Sequence, residues 1–409
     1  MDDSLLIRLA GQYGTPLYAY DGDLIAERCR KFRDAFRGFP TEVKCCYAAK
    51  ANTSLAILRL IRKEGFGADI VSAGELDAVL KAGYKPQDII YTSNGKDEGS
   101  MKAAVEAGIN ITADNAADID LLKRAGGERI AFRVNPDVSA NTHPKISTAL
   151  RGIKFGLHFE EDIAYDAIKK AQNMGLKVTG IHCHIGSNIK ETGAFEEAAH
   201  KMVGFALRLK DELSIRLEFI DSGGGLGVRY NDEAAVTPEM FAKSYRNIMA
   251  DGIGRLGYKP QAWFEPGRYI VAESGQLLAR VASVKETPER RFINVDAGFN
   301  ALVRPAMYDA YHHVRVLGKS GIGMDYDVAG PLCESGDILA RERNLPKTEA
   351  GDLIAVENAG AYGYSMASNY NSMPMPAEVL VRGGSAEVIR ERQTIQELYI
   401  RQKIPKDLL

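Results

Sequence analysis

The feature that most constrains the fold is a run of short apolar segments between Val43 and Pro266, each followed by an amphipathic stretch. Several amphipathic stretches end on a glycine, as helices do when a left-handed residue terminates them, at Gly83, Gly108, Gly126 and Gly175. The strand-like segments are Val43–Ala48, Ala68–Val71, Ile89–Thr92, Ile109–Ala113, Ile130–Val134, Val178–His184, Leu217–Asp221 and Gln261–Glu265. Eight strands that alternate with helices predict a (β/α)₈ barrel, with a doubly wound open sheet as the alternative.

The pattern changes after about Ala272, where β-rich segments follow one another with few helices between them. Val379–Ile389 is typical of a hairpin with a glycine turn. The predicted strands are Gln276–Lys285, Arg291–Val295, Val314–Leu317, Met324–Ala329, Asp352–Val356 and Glu378–Val381. We therefore expect a barrel domain over residues 26–271 and an all-β domain over 272–409. The second domain includes residues 1–25, whose short segment Pro16–Tyr20 is compatible with either domain.

Composition limits the classes of partner. The formal net charge of −2 provides no basic field for nucleic acid. No apolar run approaches the length of a membrane span, and the start of the chain is acidic where a secretory signal is basic. The five cysteines lack zinc-type spacing, so we expect free thiols in a reducing, cytoplasmic environment.

Lys50 follows the first predicted barrel strand, on the face where barrel enzymes place their chemistry. A lysine beside an apolar strand needs a partner or a lowered pKa, and such an amine can form an imine with a carbonyl cofactor. A plain surface lysine at the start of a loop is the alternative.

Three further motifs follow later strands. His182-Cys183-His184 offers a metal pair or a ring that stacks on a flat cofactor, and the scarcity of other histidines at strand ends favours stacking. The run Gly223–Gly225 lets backbone N–H groups approach a phosphate, although flexible turns look the same. Glu265 and Arg268 suit a cationic ring nitrogen and an anion, respectively, or form a structural pair.

Taken in order along the chain, this set resembles the fold-type III, alanine-racemase-like decarboxylases that use pyridoxal phosphate, and the resemblance covers nearly the whole chain. It implies that Lys50 binds the cofactor covalently and that His184 stacks on its ring, with both residues catalytic. It implies that Glu265 meets the pyridine nitrogen. The other cofactor-binding residues that it implies are Ser187, Gly223, Gly224, Gly225, Gly267, Arg268 and Tyr362, supported by Asp69, Glu75 and Arg133.

The C-terminal motifs resemble the diaminopimelate branch of that family, as does Asn141–Thr148. Diaminopimelate has a carboxylate at both ends, and Arg268 with Arg304 is chemically suited to the second one. The expected reaction is decarboxylation of meso-diaminopimelate to L-lysine. Arginine, ornithine or carboxynorspermidine decarboxylases, a racemase and an inactive homologue are the alternatives. Met373 stands where family members often have arginine, which bears on recognition of the distal end of the substrate.

The segment Gly330–Asp337 matches another signature of the family. The resemblance implies that Cys333 is the proton donor and that this segment reaches the site of a partner subunit in a homodimer. It implies substrate contacts from Arg268, Arg304, Tyr308, Glu334 and Tyr362. No metal is expected.

Overall fold

The computed structural model describes residues 1–139, 152–231 and 235–409. The chain forms two compact units. The barrel unit comprises the described residues of Ile25–Arg229 and Glu233–Ile270. The β unit comprises those of Met1–Leu24, Tyr230–Asp232 and Val271–Leu409.

The elements are named in chain order. The strands are β1 (Leu17–Asp21), β2 (Val43–Ala48), β3 (Gly67–Ile70), β4 (Ile89–Tyr91), β5 (Asn110–Ala113), β6 (Arg129–Asn135), β7 (Leu157–His158), β8 (Lys177–His182), β9 (Phe219–Asp221), β10 (Gln261–Phe264), β11 (Gly275–Glu286), β12 (Arg291–Val295), β13 (Val314–Val316), β14 (Gly323–Ala329), β15 (Ile338–Pro346), β16 (Leu353–Val356), β17 (Ala377–Arg382) and β18 (Ser385–Arg390). The helices are α1 (Asp3–Tyr13), α2 (Gly22–Asp34), α3 (Leu55–Lys63), α4 (Ala73–Lys81), α5 (Glu98–Ala107), α6 (Ala117–Arg124), α7 (Ile163–Asn173), α8 (Gly193–Leu213), α9 (Pro238–Leu256), α10 (Arg268–Val271) and α11 (Arg304–Tyr308).

The barrel unit is a closed parallel barrel. Its described strands pair in the order β2-β3-β4-β5-β6-β8-β9-β10, and β10 returns to pair with β2. That closure confirms the predicted (β/α)₈ barrel and rules out the open sheet. Strand β2 has the predicted bounds, whereas β8 ends at His182, two residues before the predicted end at His184.

Apolar side chains fill the barrel. The rings of Phe219 and Trp263 stack with their centroids 4.1 Å apart. A Cβ at Gly180 would lie 2.5 Å from the Phe219 ring, so only glycine leaves room for this stack. The core cluster consists of Cys46, Ile90, Ala131, Phe219 and Trp263.

Helix ends in the barrel unit follow the local rules of the sequence. The four glycines predicted to terminate helices all have positive φ: Gly83, Gly108, Gly126 and Gly175. Ser72 caps α4 by accepting from the Glu75 N–H at 3.1 Å. The return bond of a reciprocal capping box goes elsewhere, because Glu75 Oε2 accepts from the Val71 N–H at 2.7 Å.

The β unit contains one sheet in the order β15-β14-β12-β11-β1-β17-β18, with β16 and β13 branching from β11. The predicted strand at Pro16–Tyr20 is β1, which is antiparallel to β11 and parallel to β17. Helix α1 packs on this sheet through Leu6 and Leu9, which are buried with Leu278 and Val379.

Strand β15 was not predicted, although it pairs with β14 along most of its length. Its middle carries Arg341-Glu342-Arg343, a charged run that is typical of a loop. Register shifts in the pairing with β14 also break the alternation of buried and exposed positions that identifies a strand. Among the described helices, none has both the length and the apolar character needed to cross a membrane.

Candidate active site

Lys50 lies in a 3₁₀ turn, Ala49–Ala51, directly after β2. Its Nζ is 2.5 Å from Asp69 Oδ2, and the other oxygen of this fully buried carboxylate accepts from Thr92 Oγ1 at 2.5 Å. A Cβ at Gly267, in the loop after β10, would lie 3.0 Å from the Ala48 Cβ, so glycine at this position lets that loop pack closely against the end of β2. The lysine is therefore held by an ion pair at the carboxyl end of the barrel and is not a plain surface residue.

His182 and His184 have different partners. His182 Nε2 lies 3.1 Å from Glu265 Oε2, and both side chains are buried. The Gly224 N–H donates to His184 Nδ1 at 3.2 Å, which leaves the proton of the neutral ring on Nε2. Burial, and then the charges of Lys50 and Arg133, lower the pKa of His184 well below its usual range. A neutral, half-buried ring is suited to stacking.

The predicted histidine pair does not come together as a group of ligands in the described chain. One side-chain atom from each of His182, Asp221 and Glu265 lies within 4.8 Å of the others, and His184 is not in this group. Burial raises the pKa of the Glu265 carboxyl, but His182, Lys50 and Arg133 lower it by more, so that the pKa is lowered overall.

The glycine run after β9 is held in close contact with its neighbours. A Cβ at Gly223 or Gly224 would lie 2.3 or 2.2 Å from a backbone oxygen, so no side chain fits at either position. The Gly223 N–H bonds Asp221 Oδ1 at 2.9 Å, and the Gly224 N–H bonds His184. Of the three glycine N–H groups, the Gly225 N–H is the one left to meet an anion within the described chain.

Arg268 and Ser187 lie together beside this run. The buried guanidinium donates to Ser187 Oγ from Nη2 at 3.0 Å and from Nε at 3.3 Å. Together with the Gly225 N–H, the arginine and the hydroxyl form a donor set that suits a phosphate.

Behind Arg133 lies a buried ionic network that the sequence analysis did not find. Arg133 Nη1 is 3.6 Å from Asp114 Oδ1, and the Asp114 N–H donates to Asp118 Oδ2 at 2.8 Å. The same Asp118 oxygen is 3.3 Å from Lys96 Nζ, which also donates to the Ser93 carbonyl. Burial lowers the pKa of Lys96. These residues come from separate strand ends, so no local spacing indicates them.

In the β unit, residues 330–337, the Cys333 segment, are held by the buried carboxylate of Asp337. Asp337 accepts from the Leu332 N–H at 2.8 Å and from the Phe299 N–H at 2.6 Å. A Cβ at Gly330 would lie 2.3 Å from Asp337 Oδ2. Asp337 therefore ties the two ends of the segment to the loop after β12, while Cys333 itself is exposed.

Residues 369–373 contact the Cys333 segment. The Cys333 N–H donates to Asn371 Oδ1 at 3.1 Å, and Tyr370 OH donates to Glu334 Oε1 at 2.5 Å. That bond to Glu334 is the first cause that raises the pKa of Tyr370 to about 12. The segment with the unusual Met373 thus shapes the surroundings of Cys333.

Arg304 begins α11 and is buried rather than solvated, with 6% of its surface exposed. Its Nη1 lies 2.7 Å from His312 Nε2, and His312 Nδ1 lies 2.7 Å from the Glu357 carbonyl. Because the carbonyl accepts from Nδ1, the histidine accepts from the arginine through Nε2. The Tyr230 ring covers the guanidinium at 4.7 Å. Tyr308 ends the same helix, and Tyr362 is half-buried with a φ of 58°.

The sequence pattern described as "Pyridoxal-dependent decarboxylase, pyridoxal binding domain" matches residues 23–272, which is more than half of the chain. The chain belongs to the pyridoxal-dependent decarboxylases. This decarboxylase is 42% identical to the diaminopimelate decarboxylase of Methanothermobacter thermautotrophicus, over 98% of its own chain and 95% of that relative.

Solved structures of the same family are similar throughout. The diaminopimelate decarboxylase of M. jannaschii in co-complex with L-lysine has a TM-score of 0.94 and 38% identity, covering 99% of this chain and 95% of that one. The Helicobacter pylori enzyme complexed with L-lysine has a TM-score of 0.91 and 37% identity, covering 97% and 98%. The predicted family, cofactor and reaction type are confirmed. The Asn141–Thr148 motif lies outside the described residues.

The residues of the barrel unit fit pyridoxal phosphate. Lys50 offers an amine, and Gly225, Ser187 and Arg268 offer donors that suit a phosphate. Glu265 Oε1 is buried, and no described residue donates a hydrogen bond to it as long as Asp221 is ionised. A buried carboxylate oxygen without a donor is costly, and a protonated pyridine nitrogen is the donor that such a cofactor would bring.

Proposed function

We propose that this decarboxylase converts meso-2,6-diaminopimelate to L-lysine and CO₂, the last step of lysine biosynthesis. The observation that supports this most directly is the near full-length identity with diaminopimelate decarboxylases, which reaches 42%. Solved relatives that hold L-lysine, the product of this reaction, share the fold over almost all of both chains.

Four residues of the barrel unit serve the cofactor. Pyridoxal phosphate, when bound, supplies the electron sink that stabilises the charge left at the α-carbon as CO₂ departs. Lys50 would hold the cofactor covalently, and Asp69 positions the Lys50 amine through the 2.5 Å contact. His184 offers its neutral ring to the flat face. Glu265, charged and buried, holds a proton on the ring nitrogen.

Three donors of the barrel unit would hold the phosphate of the cofactor. Ser187, Arg268 and the Gly225 N–H are its donors in this proposal, because they converge after β8, β9 and β10. Gly223 and Gly224 act indirectly, by allowing the close backbone contacts that position Gly225. Gly267 admits the turn that contains Lys50, and Tyr362 completes the set.

The β unit supplies the groups for the substrate. Arg304 binds the distal carboxylate together with Arg268, and the neutral acceptor His312 orients the Arg304 guanidinium. Cys333 Sγ gives a proton to the α-carbon. Glu334 binds an ammonium group, for which it exchanges its hydrogen bond from Tyr370. Tyr308 and Tyr362 contact the substrate.

A substrate panel tests the proposal. The protein is purified with pyridoxal phosphate and supplied with meso-diaminopimelate, L-ornithine, L-arginine or carboxynorspermidine, and both CO₂ and the amine product are measured. We expect lysine from meso-diaminopimelate and turnover of the others lower by about 100-fold or more. Preferred turnover of a substrate without a distal carboxylate would refute the assignment.

Lys50→Ala is the matched test of the cofactor lysine. We expect it to lose both the absorbance of the covalently held cofactor and turnover. Lys81→Ala is the control, because Lys81 is exposed and its ammonium pairs with Asp77 at 2.7 Å. Unchanged absorbance in Lys50→Ala would refute the role of this lysine.

We further propose a cytoplasmic homodimer in which the Cys333 segment serves the partner's site, with residues 26–271 as the cofactor-binding domain and 1–25 with 272–409 as the second domain. The five unpaired thiols support a reducing compartment.

The test of shared sites mixes two inactive variants. Equal amounts of the Lys50→Ala and Cys333→Ala proteins are unfolded together and refolded. Shared sites predict recovery of about one quarter of wild-type activity, because half of the dimers are mixed and each has one intact site. No recovery would contradict sharing.

A further inference from the structure

Two carboxyl groups lie buried beside each other where β9 and β10 end. Asp221 is 0% exposed and Glu265 is 4% exposed. Asp221 Oδ1 accepts from the Gly223 N–H at 2.9 Å, and Glu265 Oε2 lies 3.1 Å from His182 Nε2. The second oxygens, Asp221 Oδ2 and Glu265 Oε1, have no hydrogen-bond partner among the described residues. One oxygen of each acid lies within 4.8 Å of the other.

Two ionised carboxylates cannot satisfy each other, because both offer only acceptors. One proton between them removes the repulsion and provides the missing donor. We infer that Asp221 is protonated in the folded protein and donates from Oδ2 to Glu265 Oε1, so that the pair holds a single negative charge on Glu265. The effect of this proton on the cofactor rests on the proposed role of Glu265, whereas the protonation of Asp221 itself does not.

The surroundings decide which acid holds the proton. The nearby groups that favour ionisation of Glu265 are His182, Lys50 and Arg133. Apart from His182, which lies within 4.8 Å of both acids, the titratable groups that face Asp221 are acids, thiols and a phenol: Glu265, Asp69, Cys46, Cys183 and Tyr245. Burial, and then the charge of Glu265, raise the pKa of Asp221 well above its usual range, whereas the pKa of Glu265 is lowered.

Asp221 is thus a positioning residue that acts through Glu265. Its hydroxyl orients the carboxylate from one side while His182 orients it from the other. Because the proton neutralises Asp221, the single charge of the pair is on the group proposed to face the ring nitrogen. The approach of that nitrogen gives Glu265 a further donor without displacing either neighbour, since a carboxylate offers about four lone-pair sites.

Infrared spectroscopy of the full-length holoenzyme reads the proton directly. The wild-type spectrum minus that of Asp221→Asn should contain a protonated carboxylic-acid C=O band that shifts in D₂O and on ¹³C-labelling of aspartate. The control Asp88→Asn, at a partly exposed aspartate paired with Lys44 at 2.9 Å, should show no such difference band. A wild-type minus Asp221→Asn spectrum without this band would overturn the inference. Inactivity on diaminopimelate would not affect this readout, so the two proposals fail separately.

Two variants separate the hydrogen bond from the charge. Asparagine keeps a neutral donor at position 221, so Asp221→Asn should bind pyridoxal phosphate within about threefold of wild type, whereas Asp221→Leu should bind at least about tenfold more weakly. Equal loss in both variants would contradict the donor role.

The pH dependence of unfolding gives a second readout that survives if Asp221→Leu does not fold. An acid with a raised folded-state pKa stabilises the protein below its unfolded value of about 3.9, and this contribution is lost as pH rises. The unfolding constant of wild type, divided by that of Asp221→Asn, should therefore rise by up to about tenfold per pH unit above pH 4. A ratio that does not change with pH would overturn the inference.

Discussion

Replacing Lys96 with methionine tests how much the buried network stabilises the barrel unit. The side chains of Lys96 and Asp118 are 0% and 5% exposed, and their charged atoms lie 3.3 Å apart. At the effective dielectric constant of about 20 that suits protein sites, this separation corresponds to about 5 kcal/mol of attraction. Methionine keeps the length of the side chain but leaves the Asp118 carboxylate, among the described residues, with one backbone donor, the Asp114 N–H. We expect a loss of about 3–5 kcal/mol in the free energy of unfolding.

The protein contains a convenient probe for this measurement. Its one tryptophan, Trp263, is buried in β10 and stacks on Phe219. Fluorescence during urea denaturation therefore reports on the barrel unit and is insensitive to separate unfolding of the β unit. The midpoint should move to lower urea with little change in the slope.

A matched lysine provides the control. Lys170 pairs with Asp120 at 2.8 Å, closer than the buried pair, but the two side chains are 44% and 45% exposed. Lys170→Met should cost about 0–1 kcal/mol, because water screens the pair. If Lys96→Met costs no more than Lys170→Met, the argument from burial is wrong. In Lys96→Met combined with Asp118→Asn, the cost should be partly recovered, since no uncompensated charge is left.

Three further predictions concern the active site. Gly224→Ala should lose most of its bound-cofactor absorbance, because its Cβ would lie 2.2 Å from a backbone oxygen, whereas Gly204→Ala, with nothing within 4 Å, should retain it. The folded-state pKa of His184 is lowered, so below about pH 6.5 the unfolded chain binds more protons than the folded one, and the free energy of unfolding decreases as the pH is lowered. His184→Gln should remove up to about 1.4 kcal/mol per pH unit of that dependence, measured by denaturation at a series of pH values. Arg304→Ala should raise KM for diaminopimelate by about 10- to 100-fold, and exposed Arg341→Ala should not; equal KM values would contradict the distal-carboxylate role.

The barrel could be predicted because its determinants are local. Each strand is a short apolar run, and the glycines that end the helices, such as Gly108, stand at fixed places in the sequence. The same local reasoning missed β15, where Arg341–Arg343 interrupts the apolar pattern and pairing with β14 supplies the order. Tertiary pairing there overrides the preference of the segment.

The site was predictable only where one residue type dominates its chemistry. Lys50 stands out because an amine follows a buried strand, but its partner Asp69 comes from the next strand and was placed only by resemblance. Asp337 and Lys96 were not identified, because their importance comes from burial and from partners distant in sequence. Charged residues of this kind look like solvated ones until the fold shows what surrounds them.

The position of β1 has a consequence for biosynthesis. This strand leaves the ribosome well before its two neighbours, β11 and β17, which begin at Gly275 and Ala377. Its backbone donors and acceptors therefore await segments translated hundreds of residues later, while the barrel strands from β2 to β10 are already available to close. Nascent chains halted before Ala377 would expose one edge of β1, which makes this strand the place where chaperones or premature association would act on a growing chain.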